Sequence, residues 1–215
     1  MRRCERRGGG FNSPRTPVDP TEEEEWLLGI KTVSNQAALR RIGFSTTRSG
    51  ADREHYLDAG DIMVILSRLP EELWGRLRGV HFNDRSRGAR WLGYVNRGRH
   101  DIALCALPPR ISLARFLKRP SSPTEFGAVR GMPWPRLAVR RFMLYGVFLH
   151  ELGHLQVVDE HAKDPRRKFA GETKAQEFAD RWRHQLWAQV FDSEDAVHNP
   201  PSEEELIIAL AEIAS

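Results

Sequence analysis

The sequence is short of the features that would place it at a glance. It holds only 2 cysteines, Cys4 and Cys105. They lie far apart and neither belongs to a CxxC pair, which excludes a disulfide framework and a cysteine-rich metal site. No apolar run is long enough to cross a bilayer. The most apolar one, from Phe142 to Val158, is interrupted by histidines and a glutamate. The opening "MRRCERRGGGFNSPRTPVDP" has no apolar centre and does not read as a secretory signal. No internal repeat is visible. These lacks together lead us to expect a reducing, cytoplasmic setting and no membrane partner.

The charge is equally uninformative. Lys and Arg number 33 against 29 Asp and Glu, a formal +4. Solvated arginines and local ion pairs account for that balance. A nucleic-acid partner has only weak support, from the basic opening segment. Residues 1–23 are rich in Arg, Gly and Pro, and we expect a disordered basic arm there. The rest, 24–215, is long enough for one domain with a real core.

Within that domain the pattern changes twice. "EEEEWLLGIKTVSNQAALRRIG" can hold one or two short helices. "LDAGDIMVILSRLPEELWGRLRG" gives an apolar run and then a helix opening at Pro70. "VHFND", "ARWLGYVN" and "DIALCALPP" are short, β-rich and separated by turn residues, and read as three strands. The last two should form a hairpin through "RGRH". "SSPTEFGAVRGMPWP" is a loop. One long helix is expected from Pro135 to about Val158, and a second from Asp164-Pro165 to about Phe191. Ser202 and Glu205 form a capping box at the start of a short C-terminal helix. Helices, a small sheet and then helices suggest an α+β fold.

The chemistry lies in "FLHELGHLQVVDEH", Phe148 to His161. "HELGH" matches HExxH. Four helical residues are about 400° of turn and about 6 Å of rise, so His150 and His154 point the same way, one turn apart. Both can reach one tetrahedral zinc. Glu151 lies about 100° away, off the metal but able to hold a water and take its proton. The alternative is a buried helix with incidental histidines. Burying two imidazoles and a carboxylate without partners is costly, however, and a metal removes that cost. Gly146 and Gly153 flank the histidine face and leave room for close packing or a ligand.

A third ligand could be His161, Glu172, Glu177 or His184. Stepping about 100° per residue from Glu172 puts Ala175, Gln176, Ala179, Leu186 and Val190 within about 60° of it. Glu172 thus sits in an apolar stripe that should face the core. Glu177 and His184 fall at about 120–140°, among charged residues. Glu172 is preferred, with a salt bridge to Arg183 as its non-metal alternative. His161 is the second choice: on a straight helix it would lie about 10 Å further along the axis from His154.

These residues resemble the gluzincin branch of the zincin-like metallopeptidases, in which a second helix after HExxH carries a glutamate ligand. Seventeen residues separate His154 from Glu172, similar to that branch. "ETKAQEFADRW" also resembles the ExxANxFA signature of ImmA/IrrE-type intracellular peptidases. The resemblance covers roughly Val139 to Leu186. It implies a zincin-like α+β fold, with a small mainly antiparallel sheet packed on the HExxH helix and a second ligand-bearing helix. It implies Zn2+ held by His150, His154 and Glu172, with Glu151 as general base, and a protein or peptide substrate. Gln176 stands where the family has Asn or Asp, a position that orients a ligand. "DIALCALPP" is placed to be the sheet edge that pairs with extended substrate. The competing function is a non-catalytic, zinc-stabilised module that binds a protein or nucleic acid. Tyr94 and His184 are the candidates to stabilise an oxyanion, whereas Tyr145 points away from His150.

Overall fold

A computed structural model describes residues 38–84, 91–117, 121–156, 165–189 and 191–214. All of them belong to the compact unit Val33–Ser215. The expected arm at 1–23 and the candidate ligand His161 lie outside the described residues.

Strand β1 (Gly43–Thr46) is followed by helices α1 (Ala59–Arg68) and α2 (Glu71–Trp74), then by β2 (Gly79–Asn83). The apolar run "DIMVILSR" is therefore helical. Asp58 starts α1 with a reciprocal capping box to Asp61. Ile62, Ile65 and Leu66 then fall on one face and are fully buried. β3 (Gly93–Asn96) and β4 (Asp101–Cys105) form the expected hairpin, antiparallel, through the Arg97–His100 turn. His100 takes positive φ, 56°, in that turn.

The sheet order is β1-β2-β4-β3, with β1 parallel to β2 and β2 parallel to β4. The expectation of a mainly antiparallel sheet is therefore wrong: the sheet is mixed and only the hairpin is antiparallel. The reason is the helical crossover between β1 and β2, the kind of connection that parallel neighbours require. It was hidden because the α1 run looked apolar without a clear period. The order also moves the edge: β4, the expected substrate edge, is an inner strand, and β3 lies outside it.

On the far side of the core the chain is helical from Arg136 to Gln156, in three pieces. These are α3 (Arg136–Arg141), a π-helical stretch (Phe142–Phe148) and α4 (Leu149–Gln156). At the junction the Leu149 N–H donates to Leu144 O, five residues back. α5 (Pro165–Ala188) packs against α4, and α6 (Glu203–Ala214) follows the 3₁₀ turn Ala196–His198. Ser202 Oγ accepts from the Glu205 N–H as its capping role requires, at 3.1 Å. The Glu205 carboxylate instead pairs with buried Arg141. Arg141 also donates to Asn199 O and Ala196 O, which ties the C-terminal segment to α3.

Candidate metal centre

The site forms where α4 crosses α5. Gly153 makes the crossing close: a Cβ there would lie 3.0 Å from both Cα and O of Ala175, and 3.2 Å from Phe178 Cβ. With no side chain between them, the helices bring Glu172, one turn before Ala175, to the histidines. His150 Nε2 and His154 Nε2 are 3.1 Å apart. Glu172 Oε2 is 3.4 Å from His150 Nε2, and Oε1 is 3.5 Å from His154 Nε2.

These three separations test the metal reading. Ligands about 2.0–2.1 Å from a tetrahedral zinc stand about 3.3–3.4 Å from one another. The two carboxylate separations end on different oxygens of Glu172, so the atoms do not form one face of a tetrahedron; what they show is that one atom from each of the three side chains lies within 4.8 Å of the others. Among the described residues, this trio is the one group of three such side chains close enough to share an ion. The acceptor that commonly holds the second N–H of a metal-bound imidazole is not found for His150 among the described residues: its Nδ1 is buried without a partner. His154 Nδ1 lies 3.5 Å from Arg97 Nη2.

The trio assembles as expected, but the burial argument for Glu172 needs correction. Its side chain is 41% exposed, against 13% and 9% for His150 and His154. The stripe position does turn Glu172 to the histidines, yet they line an open cleft rather than a sealed interior. The rival explanation for Glu172 also falls away, because Arg183 pairs with Glu125 at 2.7 Å and Asp180 at 3.3 Å.

The cleft has a volume of about 510 Å³. One wall is β3 and its turn; the other is the π-helical stretch with α4 and α5. Glu151 lines it beside the histidines and is 8% exposed. Gly93 of β3 lies directly over Glu151: a Cβ on Gly93 would approach Glu151 Cγ to 3.3 Å and Val147 Cγ1 to 2.8 Å. Phe116, Phe126 and Phe142 make the far end apolar.

Other expected residues separate clearly. Gln176 lines the cleft and donates to Asp180 Oδ1, 3.1 Å away. Tyr94 contributes to the cleft lining, but alternation along β3 sets its side chain on the face opposite Gly93, where its hydroxyl accepts from Asn83 Nδ2 at 2.8 Å. Tyr145 does face away: its hydroxyl donates to His198 O at 3.0 Å, and burial pushes its pKa up to about 12. His184 is exposed on α5, outside the cleft lining. Sequence reasoning missed Arg97, which comes to the site from the hairpin turn; nothing local marks that approach.

No helix among the described residues is long and apolar enough to cross a membrane. No family model, curated protein or solved structure matches the chain. What the structure itself defines is a mixed α/β protein with a small four-stranded sheet. Two of its helices bring together a His-His-Glu group able to hold a metal ion.

Proposed function

We propose that the protein is a zinc-dependent peptidase in which Glu151 is the general base. The observation that carries this reading is the convergence of His150, His154 and Glu172, with Glu151 beside them in an open cleft. His150, His154 and Glu172 would hold the ion. A bound Zn2+ supplies a Lewis acid for the scissile carbonyl and a water of lowered pKa.

The remaining roles belong to side chains and backbone of the chain. Glu151 accepts the proton of the attacking water and passes it to the leaving amine. Its low exposure and the cover of Gly93 hold the carboxylate in place. The outer edge of β3 offers backbone N–H and C=O groups along the cleft, where an extended peptide can add as a further strand. Arg97 stands on the same wall, where it can donate to a developing oxyanion. The resemblance to gluzincin-type peptidases points to the same assignment.

The test combines metal analysis of the purified chain with peptide hydrolysis. His150→Ala and Glu172→Ala should each lose the metal. Glu151→Gln should keep it and lose about 10²–10⁴-fold in rate, the usual worth of a general base. Undiminished hydrolysis in Glu151→Gln, or full metal content in Glu172→Ala, overturns the proposal. The competing reading, a zinc-stabilised binding module, predicts a metal-loaded protein that hydrolyses nothing even as wild type.

A further inference from the structure

A second polar constellation lies across the strands, and the metal cleft does not use it. Ser45 on β1, His81 on β2 and Asp101 on β4 form one hydrogen-bonded chain. Ser45 Oγ is 2.6 Å from His81 Nδ1, and His81 Nε2 is 3.2 Å from Asp101 Oδ2. The sheet register makes this arrangement. Ser45 is paired with His81, and Gly79, two residues before His81, is paired with Asp101. Alternation along a strand then puts Ser45, His81 and Asp101 on one face. Gly93, which covers Glu151, belongs to the opposite face: its partner is Leu104, three residues beyond Asp101.

The partners fix the imidazole tautomer. An Asp101 carboxylate accepts, so Nε2 carries the hydrogen and Nδ1 is left to accept from the Ser45 hydroxyl. That is the order of roles that activates a serine: nucleophile, base, and a carboxylate that orients the base. Accessibility agrees. Ser45 is exposed, the His81 side chain is 38% exposed, and Asp101 is 13% exposed. Gly43 and Gly79 occupy the neighbouring paired positions on that face, Gly43 exposed and Gly79 buried. A Cβ on Gly79 would come to 3.0 Å from Asp101 Oδ1 and 3.4 Å from His81 Nε2. Glycine thus leaves the carboxylate within reach of the imidazole.

We propose that Ser45 is a base-activated nucleophile that accepts acyl groups from esters, at a site separate from the metal cleft. In that step Ser45 Oγ bonds to the acyl carbon and the ester C–O bond breaks. The serine proton passes to His81 Nδ1 and then to the departing alkoxide, while Asp101 holds Nε2–H throughout. The products are an acyl-Ser45 chain and an alcohol. Asp101 is a positioning residue, because it acts through His81.

The experiment treats the full-length protein with p-nitrophenyl acetate and locates acetyl groups by peptide mass spectrometry over time and pH. Wild type should carry its fastest-forming acetyl group on Ser45. His81→Ala and His81→Gln should each slow that acetylation about a hundredfold, the low end for loss of a general base. Gln can still hydrogen-bond across the strands, so its failure to rescue separates a base from a structural contact. Asp101→Ala should shift the pH midpoint of acetylation, a readout that a merely structural role would not move. Circular dichroism shows whether each variant keeps its fold. Absence of a Ser45 adduct overturns the proposal. So does a Ser45 adduct that forms as fast in folded His81→Gln as in wild type, which would reduce the chain to a cross-strand hydrogen-bond network.

Discussion

The Gly153→Ala substitution tests the helix crossing on which the metal centre depends, and two opposing effects set its outcome. Alanine in a helix interior is favoured over glycine by about 0.8–1.0 kcal/mol. The new methyl, however, would stand 3.0 Å from backbone atoms of Ala175 and 3.2 Å from Phe178 Cβ. Carbon atoms rest at about 3.5–4.0 Å, so α5 must retreat by about 0.5 Å or more. Such overpacking costs about 1–3 kcal/mol. Net stability of the metal-free protein should therefore fall by up to about 2 kcal/mol, or about 2–4 °C in Tm for each kcal/mol at this size. Metal affinity has no compensating gain. Glu172 is one turn from Ala175, and its retreat moves the carboxylate away from both histidines. The loss should match that of a misoriented ligand, about 10–100-fold. Competition with a chromophoric chelator measures it, and thermal unfolding of the metal-free form measures the stability term. A Gly153→Ala protein that is about 1 kcal/mol more stable and binds metal as tightly as wild type would refute the close crossing.

Three further outcomes follow from other contacts. Gly93→Ala drives a methyl into Val147 Cγ1 and the Ala103 carbonyl and crowds Glu151; hydrolysis should fall by up to about a hundredfold with metal content retained, and an unchanged kcat/KM would show that β3 does not cover Glu151. Arg141→Met removes a 1%-exposed guanidinium from Glu205, Ala196 O and Asn199 O; chemical denaturation should show a loss of about 3–5 kcal/mol, and a loss under 1 kcal/mol would refute its role in tying down the C-terminal segment. Burial, opposed by Asp195 and reinforced by Arg68 and Arg140, holds the His198 imidazole below its ordinary pKa, with Asp61 3.9 Å away. The unfolded chain takes up this proton from about pH 6.5 downward and the folded one resists it, so stability is lost as pH falls from there. His198→Gln should flatten that slope in denaturation curves between pH 7 and 5, and an unaltered slope refutes the assignment.

Local chemistry made much of the protein legible. The helix through His150 and His154, the hairpin turn after Asn96 and the Ser202 cap each follow from short-range rules that a few neighbouring residues satisfy. Other features were not legible. The run before Leu69 carries a capping box at Asp58 and Asp61, but its apolar residues concealed the crossover that makes β1 and β2 parallel. With β1 unrecognised, nothing marked β4 as interior, and the edge was assigned to the wrong member of the hairpin. The Ser45, His81 and Asp101 chain was equally invisible, because its members are 36 and 20 residues apart and only strand register unites them.

The sequence by itself determined the histidine pair and narrowed the third ligand: a four-residue spacing on a helix fixes the direction of His150 and His154, and the position of Glu172 in an apolar stripe favours it over Glu177 and His184. Only the tertiary structure decided that these directions meet, because the meeting depends on how closely two helices cross. That closeness comes from the missing side chain of Gly153 facing the backbone of Ala175. Sheet order and the openness of the cleft were likewise decided by packing between distant segments, where no periodic signal along the chain can reach.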